Sequence, residues 1–326
     1  MEQLKKYELL EEEKDVFIVC EPQNNWGGMW TEEKLDAFEK YVKAYLTIMK
    51  KYATENGWVL FYFDAFAGSG CREVIIEDVN DGEESLFGEE EIKEIAGQTS
   101  YKGAAERVLG IDIDGFSFDY YYFVDKNEKS LNALRERLTS RFPNKANCMA
   151  FKPGDANDRI MELVNYAKGH PKSAALVLLD PFGMQLNWET IRALKDIKHI
   201  DLWILVPSGV IINRLLTRSG KILYPERMEK SFGMSIDKIQ GYFYQQVTEQ
   251  SLFGEIARQQ KRDNTISRIA QLYLDLLGKE FAYVIKEPLV LRNSTNCPIF
   301  HFVFASHNRT GVKIASEIVG KKAGKK

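Results

Sequence analysis

The stretch Leu178–Trp188, LLDPFGMQLNW, carries the strongest chemical signal in the chain. Asp180 leaves an apolar run, Pro181 fixes φ and removes an N–H, and Phe182 and Gly183 follow. That is costly sequence for a plain turn. It brings a carboxylate, two main-chain carbonyls and an aromatic face to one point. Such a set grips a planar ring bearing an exocyclic amine: the carboxylate and the Pro181 carbonyl accept the amine hydrogens, the nitrogen lone pair is left for an electrophile, and Phe182 stacks on the ring.

Three further stretches follow apolar runs in the same way. In FDAFAGSGCR, Phe63–Arg72, the run Ala67, Gly68, Ser69, Gly70 makes a bend small enough for backbone to approach a ligand, or a tight strand-to-helix connection. It is not a phosphate cradle. Cys71 and Arg72 stand where a Walker A loop needs Lys and Ser or Thr, and Glu73 replaces the third glycine of G-x-G-x-x-G. Asp125 ends the next run and either accepts hydrogen bonds from a ribose diol or caps the helix begun by KNEKSL. In GDAND, Asp155 is the ligand candidate and Asn157 and Asp158 are the cap candidates.

The elements that must position these residues alternate. WVLFYFD (Trp58–Asp64), DYYYFVD (Asp119–Asp125), NCMAFK (Asn147–Lys152), AALVLLD (Ala174–Asp180) and IDLWILVP (Ile200–Pro207) read as strands, most of them covered on both faces. Helical patterns separate them. The fold class predicted is α/β, a doubly wound, mostly parallel sheet whose ligands bind outside the carboxyl ends of the strands. A long amphipathic helix precedes it, with Thr31 as N-cap, apolar residues at Leu35, Phe38, Val42, Tyr45, Met49 and Tyr52, and an end near Gly57. Residues 1–30 read as an irregular lead-in. Residues 73–99 hold ten acidic residues and one Lys and read as a solvated insertion. Ser208 to Arg262 reads as an inserted helical subdomain, extending to about residue 280, and two closing strands, Phe281–Glu287 and Ile299–Ser306, precede a last helix and a Lys-rich tail.

Length and composition set the bounds. At 326 residues, 44% hydrophobic and 12% aromatic, the chain can bury a core, and no apolar run approaches the ~20 residues of a membrane span. Cys20, Cys71, Cys148 and Cys297 form no CxxC pair, so neither a zinc ribbon nor a redox dithiol is expected, and the cytoplasm is the expected compartment. A net charge of −3 lacks the signature of a non-specific nucleic-acid binder but allows a local basic groove.

Together these motifs resemble those of the seven-stranded, S-adenosylmethionine-dependent class I methyltransferases: AFAGSG the first cofactor motif, Asp125 the ribose-binding acid, GDAND the adenine-side motif, and LDPFG the Asp-Pro-Pro-aromatic motif of amino-methylating enzymes. This chain has one Pro rather than two, as in the similar DPFG of tRNA guanine-N2 dimethyltransferases. More narrowly, DAFAGSG, GDAN, LLDPFG, RMEKSFG and PIFHFVFAS resemble the three-Cys-motif partner family (TcmP) of bacterial and phage proteins, whose name refers to cysteines in a neighbouring partner protein.

The resemblance implies S-adenosylmethionine as cofactor, held by Asp64, Phe66, Ala67, Gly68, Ser69, Gly70, Asp125, Lys126, Asp155 and Ala156. It implies Asp180, Pro181 and Phe182 as catalytic residues, and methylation of an exocyclic amine, foremost of a nucleobase in DNA or RNA, with no metal. Gly183, Trp188, Arg214, Arg218, Lys261 and Arg262 are the candidate contacts to that substrate, the basic ones to phosphate, with a solvated helical face as the plainer reading of the inserted region. Nucleic acid and a three-Cys-motif protein are the partners implied. The alternative is a methyltransferase-shaped subunit that binds a modification enzyme without turnover.

Overall fold

The computed structural model describes residues 29–69, 103–251 and 254–322. Gly70, Cys20, Cys71, the acidic stretch 73–99 and all but the last two residues of the lead-in lie outside the described residues.

Strands β1 (Val59–Asp64), β2 (Tyr120–Asp125), β3 (Met149–Pro153), β4 (Ser173–Leu179) and β5 (Ile200–Val206) are parallel neighbours in the order β3-β2-β1-β4-β5. Every residue of β4 and β5 is buried, which is why both read as unbroken apolar runs. Beyond β5 the sheet continues antiparallel. The strand β10 (Pro298–Ser306) pairs with β5, and both β8 (Tyr283–Val284) and β9 (Leu289–Arg292) pair with β10.

Helices cover both faces. Successive strand residues point to opposite sides of a sheet, and Tyr62 meets Phe38 of α1 (Met29–Asn56) at 6.1 Å between ring centroids while its neighbour Phe61 meets Tyr166 of α4 (Ala156–Gly169) at 5.4 Å on the other side. Between them in sequence lie α2 (Ala104–Leu109) and α3 (Glu128–Arg141). Strand order reverses between β1 and β4, so the crevice at their carboxyl ends is the topological switch point of a doubly wound α/β fold.

Three expectations need correction. Thr31 lies inside α1, buried, and is not its N-cap. The inserted region is not all helical. After α5 (Trp188–Ala193), α6 (Pro225–Phe232) and α7 (Ile236–Phe243) comes an antiparallel ribbon of β6 (Tyr244–Ser251) and β7 (Gly254–Lys261), and only then α8 (Thr265–Glu280). The segment Phe281–Glu287 contributes just two paired residues, and β9 supplies most of the closing hairpin before α9 (Arg309–Lys322). No helix among the described residues is long and apolar enough to cross a membrane.

Candidate functional site

The register of β1 sets the site. Asp64 stands opposite Phe123 of β2 on one side and Leu178 of β4 on the other. The chain leaving β1 therefore emerges between Asp125, the last residue of β2, and Asp180, the first residue past β4, each two positions beyond the partner of Asp64. With strands spaced about 4.8 Å apart, β2 and β4 flank β1 across roughly 10 Å. The glycine bend and the Asp180 turn are adjacent.

The bend is tight because the backbone crosses from one neighbour to the other in three residues. Ala65 N–H donates to the Leu178 carbonyl at 3.1 Å, and Ala67 N–H to the Val124 carbonyl at 2.8 Å. Gly68 then takes φ +57°, and a Cβ built there would meet no described residue within 4 Å. Glycine enters that conformation at little cost, and no described side chain fills the space in front of it. Its N–H donates to Asp125 Oδ2 at 2.8 Å, and Asn127 N–H donates to Asp125 Oδ1 at 2.8 Å. The cap of α3 is Asn127, whose side chain accepts from Ser130 N–H at 3.0 Å, so Asp125 is not spent on capping. Lys126 is exposed beside it.

At the head of β1, Asp64 is buried. It accepts from Tyr62 Oη at 3.1 Å and from Phe66 N–H at 3.2 Å, which fastens the start of the bend. Burial first, and the nearby Asp180 charge second, push its carboxyl up to about 7, against the two hydrogen bonds and the Lys34 charge that lower it.

At the end of β4, Pro181 is buried while the Phe182 ring is 62% exposed. The turn is buttressed from α4. Asn157 Nδ2 donates to the Gln185 carbonyl at 2.9 Å, Asn187 N–H donates to Asn157 Oδ1 at 2.9 Å, and the Gln185 side chain accepts from Phe182 N–H at 3.0 Å. Asp180 itself forms an ion pair, through Oδ2, with Lys34 of α1. Lys34 is 4% exposed in its side chain and stands 5.8 Å from the Trp30 ring.

Among the described residues, then, the structure brings together Asp64, Phe66, Ala67, Gly68, Ser69, Asp125, Asp180, Pro181, Phe182 and Gly183 at one edge of the sheet. Other expected residues stand elsewhere or are otherwise engaged. Asp155 is the N-cap of α4, its Oδ1 accepting from Asn157 N–H at 2.7 Å and from Asn157 Nδ2 at 2.9 Å, and Ala156 behind it is buried. The capping role expected of Asn157 or Asp158 belongs to Asp155. Trp188 is a core residue at 4% exposure, packed on Tyr273 and so close to Gly233 that a Cβ there would lie 2.3 Å from its ring. Lys261 Nζ donates to the Asn213 and Leu216 carbonyls, both at 2.6 Å, and Arg262 Nε to the Tyr244 carbonyl at 3.0 Å. These two cations hold backbone together rather than standing out for phosphate. Arg218 is exposed and Arg214 half-buried.

Lys34 and Asn157 were not anticipated as site residues. Lys34 had a readable signal: Trp30, Lys34 and Phe38 are spaced i, i+4, i+8, so a lysine sits on the buried stripe of an amphipathic helix, where a charge needs a partner. Among the described residues no three His, Cys, Asp or Glu side chains cluster as a metal site would require.

No protein-family model matches the chain, and no curated protein does. Among solved structures it is similar to a Legionella pneumophila protein of the family DUF519, at 12% identity over 90% of this chain and 92% of that one, TM-score 0.41. It is also similar to a conserved hypothetical protein of Streptococcus pyogenes, at 12% identity over 63% and 88%, TM-score 0.25. A third is the DszA carbon methyltransferase, at 12% identity over 83% of this chain and 54% of that one, TM-score 0.34. With scores this low, none of these likenesses carries a functional assignment.

Proposed function

We propose that this protein is an S-adenosylmethionine-dependent methyltransferase acting on an exocyclic amine, foremost that of a nucleobase in DNA or RNA. One observation carries the reading: an open glycine bend, a carboxylate held by two backbone N–H groups, and an Asp-Pro-Phe turn with an exposed ring stand side by side at the switch point of a doubly wound sheet.

The residues fit the cofactor. No described residue fills the space before Gly68, and Asp125 is oriented at the end of β2, where a carboxylate meets a ribose diol. Gly68 and Ser69 would face the methionine portion and Asp125 the ribose, while Asp64 anchors the loop through Phe66 rather than touching the ligand. Bound there, the cofactor supplies an electrophilic methyl on sulfur. Asp180 would accept an N–H of the incoming amine, the Pro181 carbonyl a second, and Phe182 would stack on the base. Alignment of the amine with the methyl supplies most of the rate, so no strong base is needed. Nucleic acid, contacted through Arg214, Arg218 and neighbouring residues of the inserted region, and a three-Cys-motif protein are the partners we propose.

The test is transfer of tritiated methyl from S-adenosylmethionine to total cellular RNA and DNA, with wild type against Asp180→Ala. Counts in wild type alone support the reading. Calorimetric binding of the cofactor without any incorporation would instead assign the chain as a binding subunit.

A further inference from the structure

Lys34 enters the site from a helix that precedes the α/β core. Three attachments fix that helix. Arg107 of α2 bonds Glu32 at 2.5 Å, Asp36 at 2.9 Å and Glu39 at 3.4 Å; Tyr41 Oη donates to Asp201 Oδ2 of β5 at 2.7 Å; and Trp30 stacks on Phe300 of β10 at 4.9 Å. Lys34 is thereby held against the carboxyl end of β4 with its ammonium on Asp180 Oδ2. The other oxygen, Oδ1, makes no hydrogen bond to any described residue, on a side chain that is 25% exposed.

We infer that Lys34 is a positioning residue for the acceptor: it grips Asp180 by one oxygen and leaves the other to accept from the amine. This deepens, and rests on, the proposed role of Asp180. The physical need comes from Asp64. Two carboxyls close together in buried surroundings tend to share one proton, unless a cation lies between them. A protonated Asp180 would present an O–H to an amine that brings N–H groups, donor against donor. Among the described residues, the groups that act on this pair of acids are Lys34 from α1, Tyr62 from β1 and the Phe66 N–H of the bend.

The transfer step then balances. With a sulfonium methyl donor bound, the amine lone pair would form the N–C bond as the C–S bond breaks, the electron pair of that bond leaving with sulfur as a neutral thioether. The surplus proton on nitrogen passes to Asp180 Oδ1, and from its exposed side to solvent.

Asp64 reports on the arrangement, since the Asp180 charge raises its carboxyl and the Lys34 charge lowers it. The experiment is 13C NMR of aspartate-labelled full-length protein without cofactor, following Asp64 through pH, with Asp64→Asn to assign the signal. Wild type is expected to titrate near about 7. Lys34→Met should move the midpoint up, Lys34→Arg should leave it nearly in place, and Asp180→Asn should lower it. An unmoved midpoint in Lys34→Met overturns the inference. A kinetic arm adds a separate reading. Lys34→Met should lower kcat at neutral pH about tenfold or more with little change in acceptor KM, and Asp64→Asn added to it should restore much of the loss. A loss that Asp64→Asn fails to restore would make Lys34 merely structural and overturn the inference. Should wild type transfer no methyl at all, the proposed function falls on its own while the titration still judges Lys34.

Discussion

The backbone N–H of Gly68 donates to the carboxylate of Asp125 at 2.8 Å, tying the bend after β1 to the end of β2. The bond makes the bend and the carboxylate one unit. Asp125→Asn should therefore affect ligand and loop together: an amide keeps one acceptor and puts an NH2 where the other backbone N–H points. Loss of charge-assisted hydrogen bonds worth about 1.5–3 kcal/mol predicts S-adenosylmethionine binding weakened by roughly ten- to a hundredfold, read by titration calorimetry.

Gly68→Ala tests the same bend from the backbone side. At φ +57° alanine fits the space but not the conformation. A cost of about 1–2 kcal/mol in denaturant unfolding is expected, with cofactor affinity reduced as the loop shifts. No loss of either would mean that the bend relaxes freely.

Asp64 gives a pH signature. Its folded carboxyl is held at about 7 against 3.8 for an ordinary aspartate, so the native state binds the proton more tightly than the unfolded chain. Stability should accordingly fall as pH rises from about 4 to 7, and level off above that. Asp64→Asn removes the ionisable group. Its melting temperature should gain on wild type between pH 5 and pH 8, measured by calorimetry in matched buffers.

Phe182, in the turn after β4, and Trp188, the first residue of α5, lie six residues apart, and their substitutions should diverge. Phe182→Ala removes an exposed ring, with an expected stability change within about 0.5 kcal/mol and a selective loss of acceptor affinity. Trp188→Ala empties a packed core position and should cost about 3–5 kcal/mol. Chemical denaturation of the two variants beside acceptor KM separates the roles.

The parallel core was legible because β4 and β5 are buried on both faces, so AALVLLD and IDLWILVP stand out without alternation, and each ends in a residue that breaks the run. The ribbon of β6 and β7 was not. Tyr-Gln-Gln-Val-Thr-Glu-Gln-Ser has no apolar face to show a period of two, and its pairing depends on a partner strand rather than on a core. In the site, Asp125 and the Asp180 turn were readable from their position after apolar runs. The capping role went to Asp155 rather than to Asn157 or Asp158, because any of these short polar side chains at a helix start can cap it and only geometry separates them. Lys261 and Arg262 were read by charge alone, while the fold turns their donors inward to the carbonyls of Asn213, Leu216 and Tyr244. Lys34 is separated from Asp180 by 146 positions, and no local pattern announces a pairing over that distance.

The most direct measurement of the central claim is methyl transfer itself. Tritiated S-adenosylmethionine is incubated with total RNA and DNA and with wild type, Asp180→Ala or Asp125→Asn, and counts in nucleic acid are followed by nucleoside analysis. Incorporation by wild type on an exocyclic amine nitrogen, abolished in Asp180→Ala and reduced in Asp125→Asn, is the predicted result. Equal incorporation by wild type and Asp180→Ala, or label found only on carbon or oxygen, would contradict it.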